Sequence, residues 1–186
     1  GLTRTSAGTS AFLTSTGTLF AGLLAWPLLG ARPAPALVVG IAVALAGSAM
    51  LAAPRDFGLG PGEAWTLACA LAFAVQICVL ARVAPRVDPV ALAAAQALTV
   101  AVVLAPWARN GWGAIAALDG AARWRVGYLT IGGSIVAPLL QIVAQRTLAP
   151  GRVGLLFALE PVFALGFALA VGGERFETYW WVGAAL

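Results

Sequence analysis

Residues 89–107 read PVALAAAQALTVAVVLAPW, a run with one amide (Gln96), one hydroxyl (Thr99) and no charge. A helix rises 1.5 Å per residue, so this run would measure about 28 Å, close to the roughly 30 Å of a bilayer's hydrocarbon layer. Asp88 precedes it and Arg109 follows it at the two edges. In hydrocarbon every backbone N–H and C=O must find its partner inside the segment, which makes helix the form that can cross. The short alternating segments of a transmembrane barrel are absent from the sequence.

The same pattern recurs outward from this stretch. Complete apolar runs are read at Thr9–Leu29, Ala36–Ala52, Ala64–Ala81, Pro89–Trp107, Val126–Gln145 and Val153–Val171, with a shorter one at Tyr179–Leu186. Of 186 residues, 61% are hydrophobic and 10% charged, and the mean hydropathy is +0.94. Soluble domains carry roughly 45–50% apolar and about 25% charged residues, so an aqueous enzyme is excluded for want of polar surface. The predicted fold class is all-α, a polytopic transmembrane helix bundle. There is no His, which removes imidazole metal sites and Ser–His or Cys–His chemistry. Cys69 and Cys78 lie nine residues apart in one run, about 13.5 Å along a helix axis and too far for a disulfide; they read as small packing residues. The arginines, 11 against 7 acids, are dispersed in connections, so nucleic-acid binding has no basic stripe to rest on. The sequence calls for no catalytic group, no metal and no cofactor.

The connections alternate between two sides. Side one holds Gly30–Pro35, Arg82–Asp88 and Arg146–Arg152; side two holds Ala53–Glu63, Ala108–Arg125 and Gly172–Thr178. All seven tryptophans lie at or near span ends, and all but Trp26 fall on side two, where an aromatic belt would anchor the headgroup level. Arginine counts are nearly equal on the two sides and leave the orientation open.

An offset of 143 residues lays Thr5–Ala42 over Leu148–Ala185 and pairs identical residues at Gly8/Gly151, Phe20/Phe163, Gly30/Gly173, Arg32/Arg175 and Gly40/Gly183, among others. The first run then corresponds to the sixth and the second to the seventh. One repeat unit contains five spans, and an odd number inverts the second copy across the bilayer, as in many secondary transporters. The expected organisation is residues 1–53 from the first copy, 54–63 a connecting loop, and 64–186 the second copy. On this reading the chain is a fragment, six full spans and half of a seventh, with about 80 residues expected before Gly1 by the repeat spacing.

The residues that repeat resemble the EamA-domain family of the drug/metabolite transporter superfamily. In the second copy these are Ala158-Leu159-Glu160-Pro161-Val162-Phe163-Ala164, then Gly173-Glu174-Arg175, then Gly183. In the first they are Thr5-Ser6-Ala7-Gly8, Gly30-Ala31-Arg32-Pro33, then Gly40 and Gly47, with Ala31 where the family has Glu and Gly17-Thr18 where it has Glu-Pro or Leu-Pro. The resemblance implies a ten-helix carrier of small molecules in a bacterial plasma membrane, with cytoplasmic termini that would make side one the cytoplasm. A structural or regulatory membrane subunit, or an inactive remnant, is the alternative.

Glu160 is the one ionisable side chain in the middle of a run. A charge held there costs about 2.5–3.5 kcal/mol on insertion scales, so proton uptake coupled to substrate movement is one expectation. The other is structural: Pro161 frees the Phe157 carbonyl, which a protonated Glu160 would help to satisfy. Thr130, Ser134, Gln141 and Gln145 follow at spacings of four, seven and four, one face of a regular helix. That face reads either as interhelical hydrogen bonding or as a lining of the substrate path, with Pro138 beside it as a hinge. Gln96, within the fourth run, is the remaining candidate for the path. The expected partners are a small-molecule substrate, the lipid bilayer and a coupling proton.

Overall fold

The computed structural model describes residues 7–52, 60–108, 111–160, 162–163 and 166. Regular structure among them is helical throughout, with no strand. The elements are α1 (Ala7–Leu29), α2 (Pro35–Ala52), α3 (Pro61–Val83), a 3-10 turn (Ala84–Arg86), α4 (Pro89–Ala108), α5 (Gly111–Ala116), α6 (Gly120–Ile131), a π turn (Gly132–Val136), α7 (Ala137–Gln145) and α8 (Pro150–Phe157).

The helix starts follow from a few residues. Pro35, Pro61, Pro89 and Pro150 each open a helix, where the missing N–H costs no ladder bond and φ is already set. Asp88 and Asp119 cap α4 and α6: their Oδ1 atoms accept from the N–H groups of Ala91 (2.9 Å) and Ala122 (2.6 Å), filling orphan donors of the first turn. The Asp119 cap starts α6 at Gly120, six residues ahead of the expected Val126. At the far end of α1, Gly30 takes φ +72° and its N–H reaches the Trp26 carbonyl at 2.8 Å. This left-handed cap stops the helix where the apolar run ends, ahead of Arg32 and Pro33.

Among the described residues, three helices are long and apolar enough to cross a membrane: Pro61–Arg86, Pro89–Ala108 and Gly120–Gln145. Leu13–Leu29 and Pro35–Met50 are shorter apolar helices. The sixth expected run is described only at its beginning, and Tyr179–Leu186 lies outside the described residues.

The described residues fall into two compact units. One contains α1, α2, α3 and α8, drawn from both sides of the 54–63 connection. Its core is small-residue packing around Ala21, Ala74, Ile77 and Val153, with Phe73 and Phe157 edge to face at 5.6 Å between ring centroids. The other runs from Arg82 to Thr147 and is built on α4 laid along α7 and the π turn. Apolar side chains such as Val102, Leu104 and Trp107 of α4 point outward and are exposed, an arrangement that suits hydrocarbon and not water.

Candidate functional site: an amide pair, a wide turn and a glycine crossing

In the unit from Arg82 to Thr147, polar groups gather on two packed helices. The half-buried residues of α4, Pro89, Leu92, Ala93 and Gln96, share one face by their spacing. On α7, Ile142 is fully buried and Gln145 is 1% exposed. The Gln141 Nε2 donates to the Gln145 Oε1 at 3.2 Å. A buried amide needs several partners, and this i, i+4 bond supplies one of them. Three amides singled out from the sequence, Gln96, Gln141 and Gln145, thus lie on one helix pair.

Thr130 and Ser134 lie elsewhere on the span. Both are exposed, and the Thr130 hydroxyl donates back to the Val126 carbonyl at 2.8 Å, the usual local bond of a helical threonine. Between these residues and the amide pair stands the π turn. Pro138 has no N–H for the Ser134 carbonyl, and its ring crowds that oxygen. The helix widens to accommodate it: the Ala137 N–H reaches five residues back, to the Gly132 carbonyl. A five-residue bond winds the chain differently from a four-residue one, and exposure differs across it: Thr130 and Ser134 before the turn are exposed, whereas Gln141 and Gln145 after it are half-buried and buried. Expecting one continuous stripe assumes a regular helix. The signal that marks the irregularity is the pair Gly132-Gly133 shortly before Pro138.

The unit with α1 and α8 has a different character. Gly154 lies against the Thr18 carbonyl and Gly22 against Gly151, so that α8 descends as α1 ascends: the two helices are antiparallel. A Cβ on Gly154 would collide with the Thr18 carbonyl, and one on Gly22 would stand 2.9 Å from the Gly151 Cα. Gly17 meets Ala70 of α3 just as closely. Backbones approach this way only where side chains are absent. The buried Thr18 hydroxyl is satisfied within its own helix, donating to the Ser15 carbonyl at 2.8 Å. Cys78 is buried and donates its S–H to the Ala21 carbonyl at 3.5 Å, while Cys69 is exposed. Between α1 and α3 lies a cavity of about 400 Å³, lined by Thr16, Phe20, Leu23, Leu67 and Leu71 among others.

Glu160 follows directly on a tightening of α8. After Phe157 the α pattern gives way to a turn at 158–159, with the Leu159 N–H donating to Leu156 and the Val162 N–H to Leu159, each three residues back. Glu160 is exposed. Pro161, expected to kink this helix, lies outside the described residues.

Residues 60–186, more than half of the chain, match the EamA-like transporter family. The chain belongs to that family. No curated protein and no solved structure matches it.

In this EamA-like protein the sequence Gly173-Glu174-Arg175 and Gly183 fall in the matched range but outside the described residues. Membership and the apolar helices together make it an integral membrane protein of transporter type. The close glycines are Gly17, Gly22, Gly151 and Gly154, of which only Gly151 is matched by an identical residue in the repeat. Gly40, one of the glycines that carry the resemblance, makes an ordinary contact: a Cβ placed on it would stand 3.6 Å from Leu155.

Proposed function

We propose that this EamA-like protein is a secondary transporter, not an enzyme, which moves a small organic solute across a bacterial plasma membrane by alternating access. The observation that carries the reading is the antiparallel crossing of α1 and α8, the two helices that the 143-residue offset aligns. Equivalent helices running in opposite directions are what an inverted repeat requires. The amides of α4 and α7 add support, since polar side chains at that depth are costly unless they face protein, water or solute. Glu160 serves as the proton-coupling group and Gln96, Gln141 and Gln145 as part of the path. Thr130, Ser134 and Pro138 lie on the same span as the amide pair, and Pro161 would supply the kink beside Glu160.

The test is uptake by reconstituted vesicles, screening amino acids, metabolites and drugs under two opposite pH gradients. Gradient-driven accumulation of at least one solute is expected, and Glu160→Gln is expected to abolish the gradient-driven part while exchange persists. Absence of flux for every solute would return the chain to the reading of a non-transporting subunit. Full coupling in Glu160→Gln would leave transport standing and remove the proton role.

A further inference from the structure

The π turn leaves a backbone acceptor that the helix does not serve. The Ala137 N–H is given to the Gly132 carbonyl, and Pro138 has no N–H to give. The Gly133 carbonyl therefore lacks both the donor four residues on and the donor five residues on. The next carbonyl, Ser134, lacks its donor four residues on. Two nearby side-chain donors are turned elsewhere, the Thr130 hydroxyl to Val126 and the Gln141 amide to Gln145, which leaves the Ser134 hydroxyl as the side-chain donor next to the two carbonyls. Gly133 and Ser134 are exposed, bordered by the exposed side chains of Ile131 and Ile135. This bare stretch of backbone lies at the middle of the Gly120–Gln145 span, where unsatisfied carbonyls are tolerated only if they line a cavity or meet a donor.

We propose that the turn is a binding site for the primary ammonium group of a small solute with an apolar stem, received by the Gly133 and Ser134 carbonyls. Two neighbouring acceptors beside a single hydroxyl, itself also an acceptor, suit a group that brings several N–H bonds, and an ammonium brings three. A carboxylate or phosphate would face the lone pairs of both carbonyls and find one hydroxyl donor to set against them. Ile131 and Ile135 give the stem an apolar wall. The site rests on the transporter reading for its purpose and names the class of solute carried.

The experiment is protection of a cysteine from labelling. Ser134→Cys, in a chain with Cys69→Ala and Cys78→Ala, keeps both carbonyls. It is reconstituted in vesicles and treated with methyl methanethiosulfonate, with or without propylammonium or tetramethylammonium; the second ion has the charge and no N–H. Propylammonium at ten times its half-protecting concentration should slow labelling about tenfold by simple occupancy, and tetramethylammonium should not. Equal protection by both ions, protection by neither, or a cysteine that does not react at all would overturn the site. Adding Pro138→Ala returns a donor to the Ser134 carbonyl and should remove most of the protection; unchanged protection in that folded variant also overturns it. If Pro138→Ala does not fold, the two ions on the Pro138 chain decide alone. Labelling needs no flux, so protection without transport would sink the transporter reading and leave the site intact.

Discussion

At Gly17 a single added methyl group is enough to force neighbouring helices apart. A Cβ there collides with Ala70, including the backbone oxygen at 2.6 Å, and a helix backbone cannot step aside as a flexible side chain can. Gly17→Ala should cost about 1–3 kcal/mol, the usual range for overpacking, measured as unfolding in detergent. Gly40→Ala is the control and should be near neutral, because Leu155 already stands at ordinary contact distance. The amides make a second contrast. Gln145→Ala leaves a buried hole and takes the acceptor from Gln141, whereas Gln141→Ala removes a half-buried donor. The same unfolding measurement should show the larger loss for Gln145→Ala, about 1–3 kcal/mol. Gln145 was legible in the sequence because an amide inside an apolar run is costly unless it is hydrogen-bonded. Gly17 and Gly154 were not, since 22 glycines in an alanine-rich chain give no sign of which ones meet another backbone.

Helix boundaries were legible wherever a residue fixes the local chemistry. Pro89 behind Asp88 marks a start by removing one donor and capping another, and the structure begins α4 there. Asp119 carries the same signal without a proline, and the apolar pattern alone places that start too late. Asp119→Ala should fray the first turn of α6 at a cost of about 1 kcal/mol, seen as faster hydrogen exchange at Ala122 and its neighbours. The π turn was hidden for a different reason. A fixed helical period treats Val126–Gln145 as uniform, and nothing in hydropathy separates a four-residue bond from a five-residue one. Pro138→Ala supplies the missing N–H, and the turn should close to α geometry, rotating one half of the span against the other. Spin labels at Leu129 and Leu140, both exposed, would report the rotation as a changed distance. An unchanged distance would assign the wide turn to the glycine pair instead.

For the whole molecule, the exposed faces and the connections constrain each other. Helix α4 carries its apolar side chains outward over most of its length and is long and apolar enough to cross a membrane, so its ends should emerge on opposite sides. The same holds for the span from Gly120 to Gln145. Val87 and Thr147, on exposed connections at the outer ends of these two spans, should therefore share one side of the membrane. Ala117, between the two spans, should lie on the other. Single cysteines at these three positions, in the chain lacking Cys69 and Cys78, test this with an impermeant thiol reagent on sealed vesicles of known orientation. Labelling of Val87→Cys and Ala117→Cys from the same side would mean that α4 does not cross, and the alternating order of spans on which an inverted pair depends would fail with it. Labelling from opposite sides, with Thr147→Cys following Val87→Cys, fixes which end of the Gly120–Gln145 span faces each compartment. It would also decide whether Arg82, Arg86 and Arg146 face the cytoplasm, which their number alone does not.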